Sequence, residues 1–182
     1  MKALFKKYRS VVRFVVLFLG TYLVLSGLYA FYLSLSGGGS YPPDFVTNLV
    51  AKQSKAVIEG FGYTANVVPH DSEPTMKLFI NGKYLARIIE GCNAISIIIL
   101  FASFVIAFYE RFKKTLLFLL VGMVLIYSIN IARIAVLAIS LYHYPEQREL
   151  LHGVVFPGII YGMVFLLWVF WVRSIKKEPK SE

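Results

Sequence analysis

Charge is what this chain of 182 residues has least of. Asp, Glu, Lys and Arg together make up 16% of it, and only ten side chains are acidic. A soluble domain carries about 25% charged residues, so an ordinary water-soluble fold is excluded. Cysteine is nearly absent too: a single residue cannot form an intramolecular disulfide, and a disulfide-held secreted scaffold is excluded with it. Disorder is excluded by the opposite term, because 58% of the residues are hydrophobic and 16% aromatic. With a mean hydropathy of +0.67, the composition is that of an integral membrane protein.

Long apolar runs are abundant. A helix needs about 20 mostly apolar residues to cross a hydrocarbon core of roughly 30 Å. Residues 14–35 and 153–172 meet this without a charge, and residues 115–142 meet it with one, Arg133. Residues 91–109 are shorter but uncharged, which makes four transmembrane helices the simplest reading.

The excess of +9 then has a place. Lys2, Lys6, Lys7, Arg9 and Arg13 precede the first run, Arg111, Lys113 and Lys114 fill the turn between the second and third, and Arg173, Lys176, Lys177 and Lys180 follow the fourth. These twelve of nineteen basic residues share one side if there are four spans. Residues 36–90 carry five basic and five acidic residues, and the other connection has Arg148 between Glu146 and Glu149. By the positive-inside rule both termini are cytoplasmic, and the two neutral connections face outward. Lipid, not nucleic acid, is therefore the partner implied by the charge.

The expected organisation has four parts. Residues 1–35 form a basic tail and an uncleaved signal-anchor helix, since the apolar run is longer than a typical signal-peptide core. Residues 36–90 form a small α+β extracytoplasmic cap. Gly37, Gly38, Gly39 and Ser40 are a flexible exit from the membrane, and Asp44 after Pro42-Pro43 is an N-cap. Phe45, Leu49, Ala56, Val57 and Phe61 mark the apolar face of a helix ended by Gly60 and Gly62. A strand is expected at 63–68, and a hairpin at 77–80 and 83–89 about the Asn81-Gly82 turn. Residues 91–172 form a three-helix catalytic membrane core, and 173–182 a cytoplasmic basic tail.

Three residue types converge on the outer layer of that core. Cys92 stands at the expected outer start of the second span, and amide groups at a helix N-terminus favour a thiolate there. The bland alternative is a small packed residue, as free cysteines usually are. Arg133 costs at least ~2.5 kcal/mol inside a span and so is expected to face a polar interior. Counting about 20 residues inward from Thr115 places Arg133 in the outer leaflet, with Asn130 one turn earlier on the same face. The alternative is a snorkelling side chain that fixes helix position. His152, beside Gly153, opens the fourth span on the same side, and His143 ends the third. A thiol, a guanidinium and an imidazole in one layer suit acyl transfer: nucleophile, oxyanion stabiliser and proton shuttle. No His, Cys or carboxylate cluster has metal-ligand spacing, and no cofactor is required.

Glu90-Gly91-Cys92-Asn93, Asn130-Ile131-Ala132-Arg133 and His152-Gly153-Val154-Val155-Phe156 resemble the motifs of the exosortase/archaeosortase family, most closely its small exosortase F type. The resemblance runs from Glu90 to about Phe165. It implies a membrane cysteine transpeptidase or thiol protease of the bacterial cytoplasmic (inner) membrane. Cys92 would be the nucleophile, Arg133 a stabiliser of the transition state or thiolate, and His152 the acid/base. Asn93, Asn130 and Gly153 would support them. Its substrates would be secreted proteins with a C-terminal motif, a transmembrane helix and a basic cluster, passed to an envelope acceptor or to water. Two departures stand out: Ala94 replaces a glycine common in the family, and four spans replace the larger members' eight or so. The competing reading is a non-enzymatic assembly or partner-helix-binding protein that uses Arg133 as an intramembrane polar contact.

Overall fold

The computed structural model describes residues 8–36 and 43–176. Lys2, Lys6, Lys7, Lys177 and Lys180, the Gly37–Ser40 exit and Pro42 lie outside the described residues. The chain is mostly helical and carries one small sheet: α1 (Arg9–Ser36), α2 (Phe45–Gly60), β1 (Ala65–Pro69), β2 (Met76–Ile80), β3 (Lys83–Ile88), α3 (Ile95–Ala107), α4 (Phe112–His143) and α5 (Phe156–Lys176).

Three helical segments have both the length and the hydropathy to cross a membrane: Arg9–Ser36, Phe112–His143 and Pro145–Ile175. The expected second span differs. Its helix, α3, has 13 residues, about 20 Å at 1.5 Å per residue, against a hydrocarbon core of about 30 Å. The shortening is local in origin, because the backbone leaves helical geometry at Asn93 and Ala94 before the helix and at Phe108 after it. α3 lies against α1, where the Phe14 and Phe108 rings are 4.6 Å apart between centroids. Against α4, the Phe101 ring fills the space that a Cβ on Gly122 would occupy.

The cap is built as its turn residues dictate. The Asp44 carboxylate accepts from the Val46 and Thr47 amides at 3.0 Å each, which starts α2. Asn81 and Gly82 both take positive φ, 49° and 77°, as the tight turn between β2 and β3 requires. The antiparallel sheet runs in the order β1-β2-β3, and its register slips by one residue at Leu78/Phe79, leaving Leu85 unmatched on β3.

The face that α2 buries is not the one expected. Val50, Ala51, Ser54, Ile58, Thr47 and Asn48 are buried, whereas Phe45 and Phe61 are 53% and 64% exposed. Thr47 holds the inner face because a partner awaits it there, the Asn93 side chain at 3.0 Å. Val50, Ala51 and Ile58 join Leu78, Ile80 and Ile88 of the sheet and Ile134, Ala135 and Ala138 of α4 in one core. The cap is thus clamped onto the C-terminal third of α4, the stretch that also carries Arg133.

Candidate active site

Cys92 ends a 3-10 turn, Glu90–Cys92, that continues directly from β3. Its amide donates to the Ile89 carbonyl at 2.8 Å. It lies three residues ahead of the first helical residue of α3, not on the helix end itself. The intervening break is made by Ala94, whose φ of 68° is left-handed, a conformation few residues other than glycine adopt. The glycine that the resemblance leads one to expect is thus missing at a position where the backbone has the geometry that favours it.

Asn93 serves this break from the rear. Its Oδ1 accepts from the Ile95 amide at 3.0 Å. Its Nδ2 donates to the Tyr29 hydroxyl of α1 at 2.7 Å and to Thr47 Oγ1 of α2 at 3.0 Å. Fully buried, it ties the loop that carries the cysteine to both the first helix and the cap.

Asn130 and Arg133 approach from α4. Asn130 is 1% exposed, and its Nδ2 donates to the Cys92 carbonyl at 2.6 Å. Arg133 Nη1 donates to Asn130 Oδ1 at 3.3 Å. One side chain therefore links the backbone of the cysteine to the guanidinium. Arg133 Nε is enclosed and finds no hydrogen-bond partner among the described residues, so the group keeps unspent donor capacity.

His152 arrives on an irregular stretch before α5. The chain makes a 3-10 turn at Pro145–Gln147, one helical turn at Arg148–Leu150 and a π-turn at Leu151–Val155. In the π-turn the Phe156 amide reaches five residues back to the Leu151 carbonyl. Pro157 explains the wider turn: it has no N–H for the Gly153 carbonyl, and its ring crowds the preceding turn.

These three elements enclose one cavity of about 200 Å³, lined by Cys92, Arg133 and His152 together with apolar residues of α4 and β3. Arg87 and Arg148 also line it, and no carboxylate residue does. The Arg87 guanidinium bonds to Glu73 across the cap. Neither arginine stood out in the sequence. Arg148 had a usable signal, since it precedes His152 by four residues, one helical turn. Arg87 had none, because only the fold of the hairpin carries it to the cysteine.

The other expected residues lie apart. Gly153 does not line the cavity but the shallow outer depression beside Arg148, Glu149 and His152. His143 is exposed, with its Nε2 2.8 Å from the Tyr63 hydroxyl, and it joins α4 to the end of the α2–β1 connection. No group of three or more His, Cys, Asp or Glu side chains suited to a metal ion occurs among the described residues.

A cavity lined by Cys92, Arg133 and His152 has the parts for acyl transfer: a nucleophile, donors for a developing oxyanion and a proton carrier. Comparison with known proteins points the same way. Residues 6–172 match the transmembrane exosortase family. No curated protein and no solved structure matches the chain. The match extends over nearly the whole chain, well beyond the motifs around Cys92, Arg133 and His152, and the chain belongs to the transmembrane exosortase family.

Proposed function

We propose that this chain is a membrane cysteine transpeptidase or peptidase that removes the C-terminal transmembrane sorting signal of secreted envelope proteins. The observation that carries the reading is the shared cavity of Cys92, Arg133 and His152, contributed by three elements distant in sequence. In this mechanism the Cys92 thiolate attacks a backbone carbonyl carbon of the substrate, and the carbonyl oxygen takes the charge facing Arg133. His152 protonates the departing amine, and the tail helix leaves. An acceptor amine or hydroxyl, or water, gives up its proton to His152 and attacks the thioester, which releases the Cys92 thiolate and restores the starting state. Asn130 holds the Cys92 backbone and the guanidinium in register throughout. Asn93 holds the loop from behind, and Gly153 follows His152 at the mouth of the outer depression.

The membrane arrangement belongs to the same proposal. The protein sits in the bacterial cytoplasmic membrane with both termini inside and the cavity on the outer side. α3 serves as the second of four crossings, its loops completing the distance its 13 helical residues leave short. The strings at 90–93, 130–133 and 152–156 support the exosortase F type within the family.

The deciding experiment is Cys92→Ala in the native membrane, following the size and location of an envelope protein that ends in a transmembrane helix and a basic cluster. Retention of the uncleaved tail is expected. Unchanged processing at normal protein level would remove the nucleophile, and the partner-helix-binding reading of Arg133 would replace it.

A further inference from the structure

The cap sheet meets the cavity with an open edge. With strand order β1-β2-β3, β3 has no paired strand on its outer side among the described residues. The ladder tells which backbone groups face out. His70 N–H donates to the Thr75 carbonyl, and Asn81 N–H to the Thr64 carbonyl, so the odd-numbered residues of β2 turn their backbone toward β1. Backbone groups alternate along an antiparallel strand, so Met76, Leu78 and Ile80 turn theirs toward β3. Their partners there are Ile88, Ala86 and Lys83. The amide and carbonyl of Arg87, between Ala86 and Ile88, therefore point away from the sheet.

That edge leads to the cysteine. β3 passes through Ile89 straight into the turn that ends at Cys92, and Arg87, Ile88 and Ile89 line the same cavity as Cys92, Arg133 and His152. The unmatched Leu85 puts a bulge one residue from the Ala86 pair, and bulges bend an edge strand and re-aim it. A peptide bond attacked by a thiolate has to be extended, since in a helix its carbonyl is bonded along the axis and shielded by side chains. An edge strand supplies that form of binding through main-chain hydrogen bonds.

We propose that the outer edge of β3 binds the extended segment of the substrate beside the scissile bond as a fourth strand, with the Arg87 amide and carbonyl as the central pair. This rests on the peptidase reading above. The ligand class is an extended polypeptide read mainly through its backbone. Affinity then depends little on most side chains, and the cavity at the end of the strand selects the residue that reaches Cys92.

The test exploits the single native thiol. In the full-length chain, Cys92→Ser leaves no cysteine, and Arg87→Cys then supplies the only one. The probe is a membrane-anchored reporter ending in a transmembrane helix and a basic cluster, with one cysteine placed at each successive position before that helix. On oxidation, disulfide crosslinks at every second reporter position, about fivefold or more above the intervening ones, are expected, because alternate residues of a paired strand share a face. Tyr84→Cys provides a second probe that leaves the Arg87–Glu73 contact in place. Tyr84 and Arg87 pair with Phe79 and Lys77, which share one face of β2, so the same alternation is expected.

Uniform crosslinking, a period of three to four residues, no crosslinks from either position, or dimers of the chain through residue 87 in their place would overturn the proposal. Processing of a cysteine-free reporter by the unsubstituted chain is scored in parallel. Alternating crosslinks without processing would keep the strand site and remove the chemistry. Processing without alternation would keep the chemistry and remove the strand site.

Discussion

Asn130 Nδ2 lies 2.6 Å from the carbonyl oxygen of Cys92, a contact across 38 residues of sequence, and the same amide accepts from Arg133 through its Oδ1. The position of the thiol relative to the guanidinium thus passes through one buried side chain. Removing it would strand the Cys92 carbonyl in a site with little water, at a cost of about 1–3 kcal/mol. Asn130→Ala is expected to slow tail processing about 10- to 100-fold while the protein still reaches the membrane. Asn130→Asp, which keeps an acceptor for Arg133 but loses the donor to Cys92, should be impaired as well. A membrane-fraction processing assay with matched protein levels checks both. Wild-type rates in both variants would refute the linking role.

The imidazoles at the end of α4 and ahead of α5 separate cleanly. His152 lines the cavity and His143 does not. His152→Ala is expected to lower processing by two orders of magnitude or more, in the range general acid–base catalysis contributes, ~10²–10⁴-fold. His143→Phe should leave processing within about twofold. It loses a hydrogen bond to Tyr63 that is worth roughly 0.5–1.5 kcal/mol, visible as a small drop in Tm in detergent. Equal loss of processing in both variants would contradict this division.

Ala94 combines a left-handed backbone with nearly complete burial, at 4% exposure. Glycine would relieve about 1–2 kcal/mol of backbone cost but give up a buried methyl worth about 0.8 kcal/mol. Ala94→Gly is therefore expected to be neutral or slightly stabilising. Ala94→Val should be strongly destabilising, because a β-branched residue is an outlier at positive φ and the site has no spare room. Thermal unfolding of the purified protein distinguishes the two, and a tolerated valine would show that the left-handed turn is not maintained.

Gly122 and Phe101 meet closely between α3 and α4. A Cβ on Gly122 would lie 2.2 Å from the end of the fully buried Phe101 ring. Gly122→Ala should cost about 1–3 kcal/mol through overpacking. Phe101→Leu in the same chain should recover part of that loss, giving a favourable coupling in a double-mutant cycle. Strictly additive effects would mean that the two helices do not meet there.

Much of the fold was legible because it is local. The Asp44 cap, the Asn81-Gly82 turn and the apolar runs of α1, α4 and α5 depend on neighbours a few residues away, and each takes the form its chemistry demands. α2 was harder to orient, since Thr47, Asn48 and Ser54 occupy its inner face. Thr47 is buried beside Asn93, 46 residues further along, and no periodicity within α2 announces that bond. The length of α3 was misjudged for a related reason. Its apolar composition continues past both ends, but the backbone breaks at Ala94 and Phe108.

The sequence by itself determined that the chain is a membrane protein, which side of each span is basic, and that Cys92, Arg133 and His152 fall in one layer. Those properties follow from composition and from distances counted along helices, and both are one-dimensional. Only the tertiary structure decided that the three residues share a cavity, that Asn130 joins two of them, that Asn93 turns away from it, and that Arg87 and Arg148 also line it. Depth in a bilayer can be counted along a chain, but azimuth around a helix bundle cannot. It depends on how α4, the cap and the turn before α5 pack, and that packing rests on contacts between residues far apart in sequence.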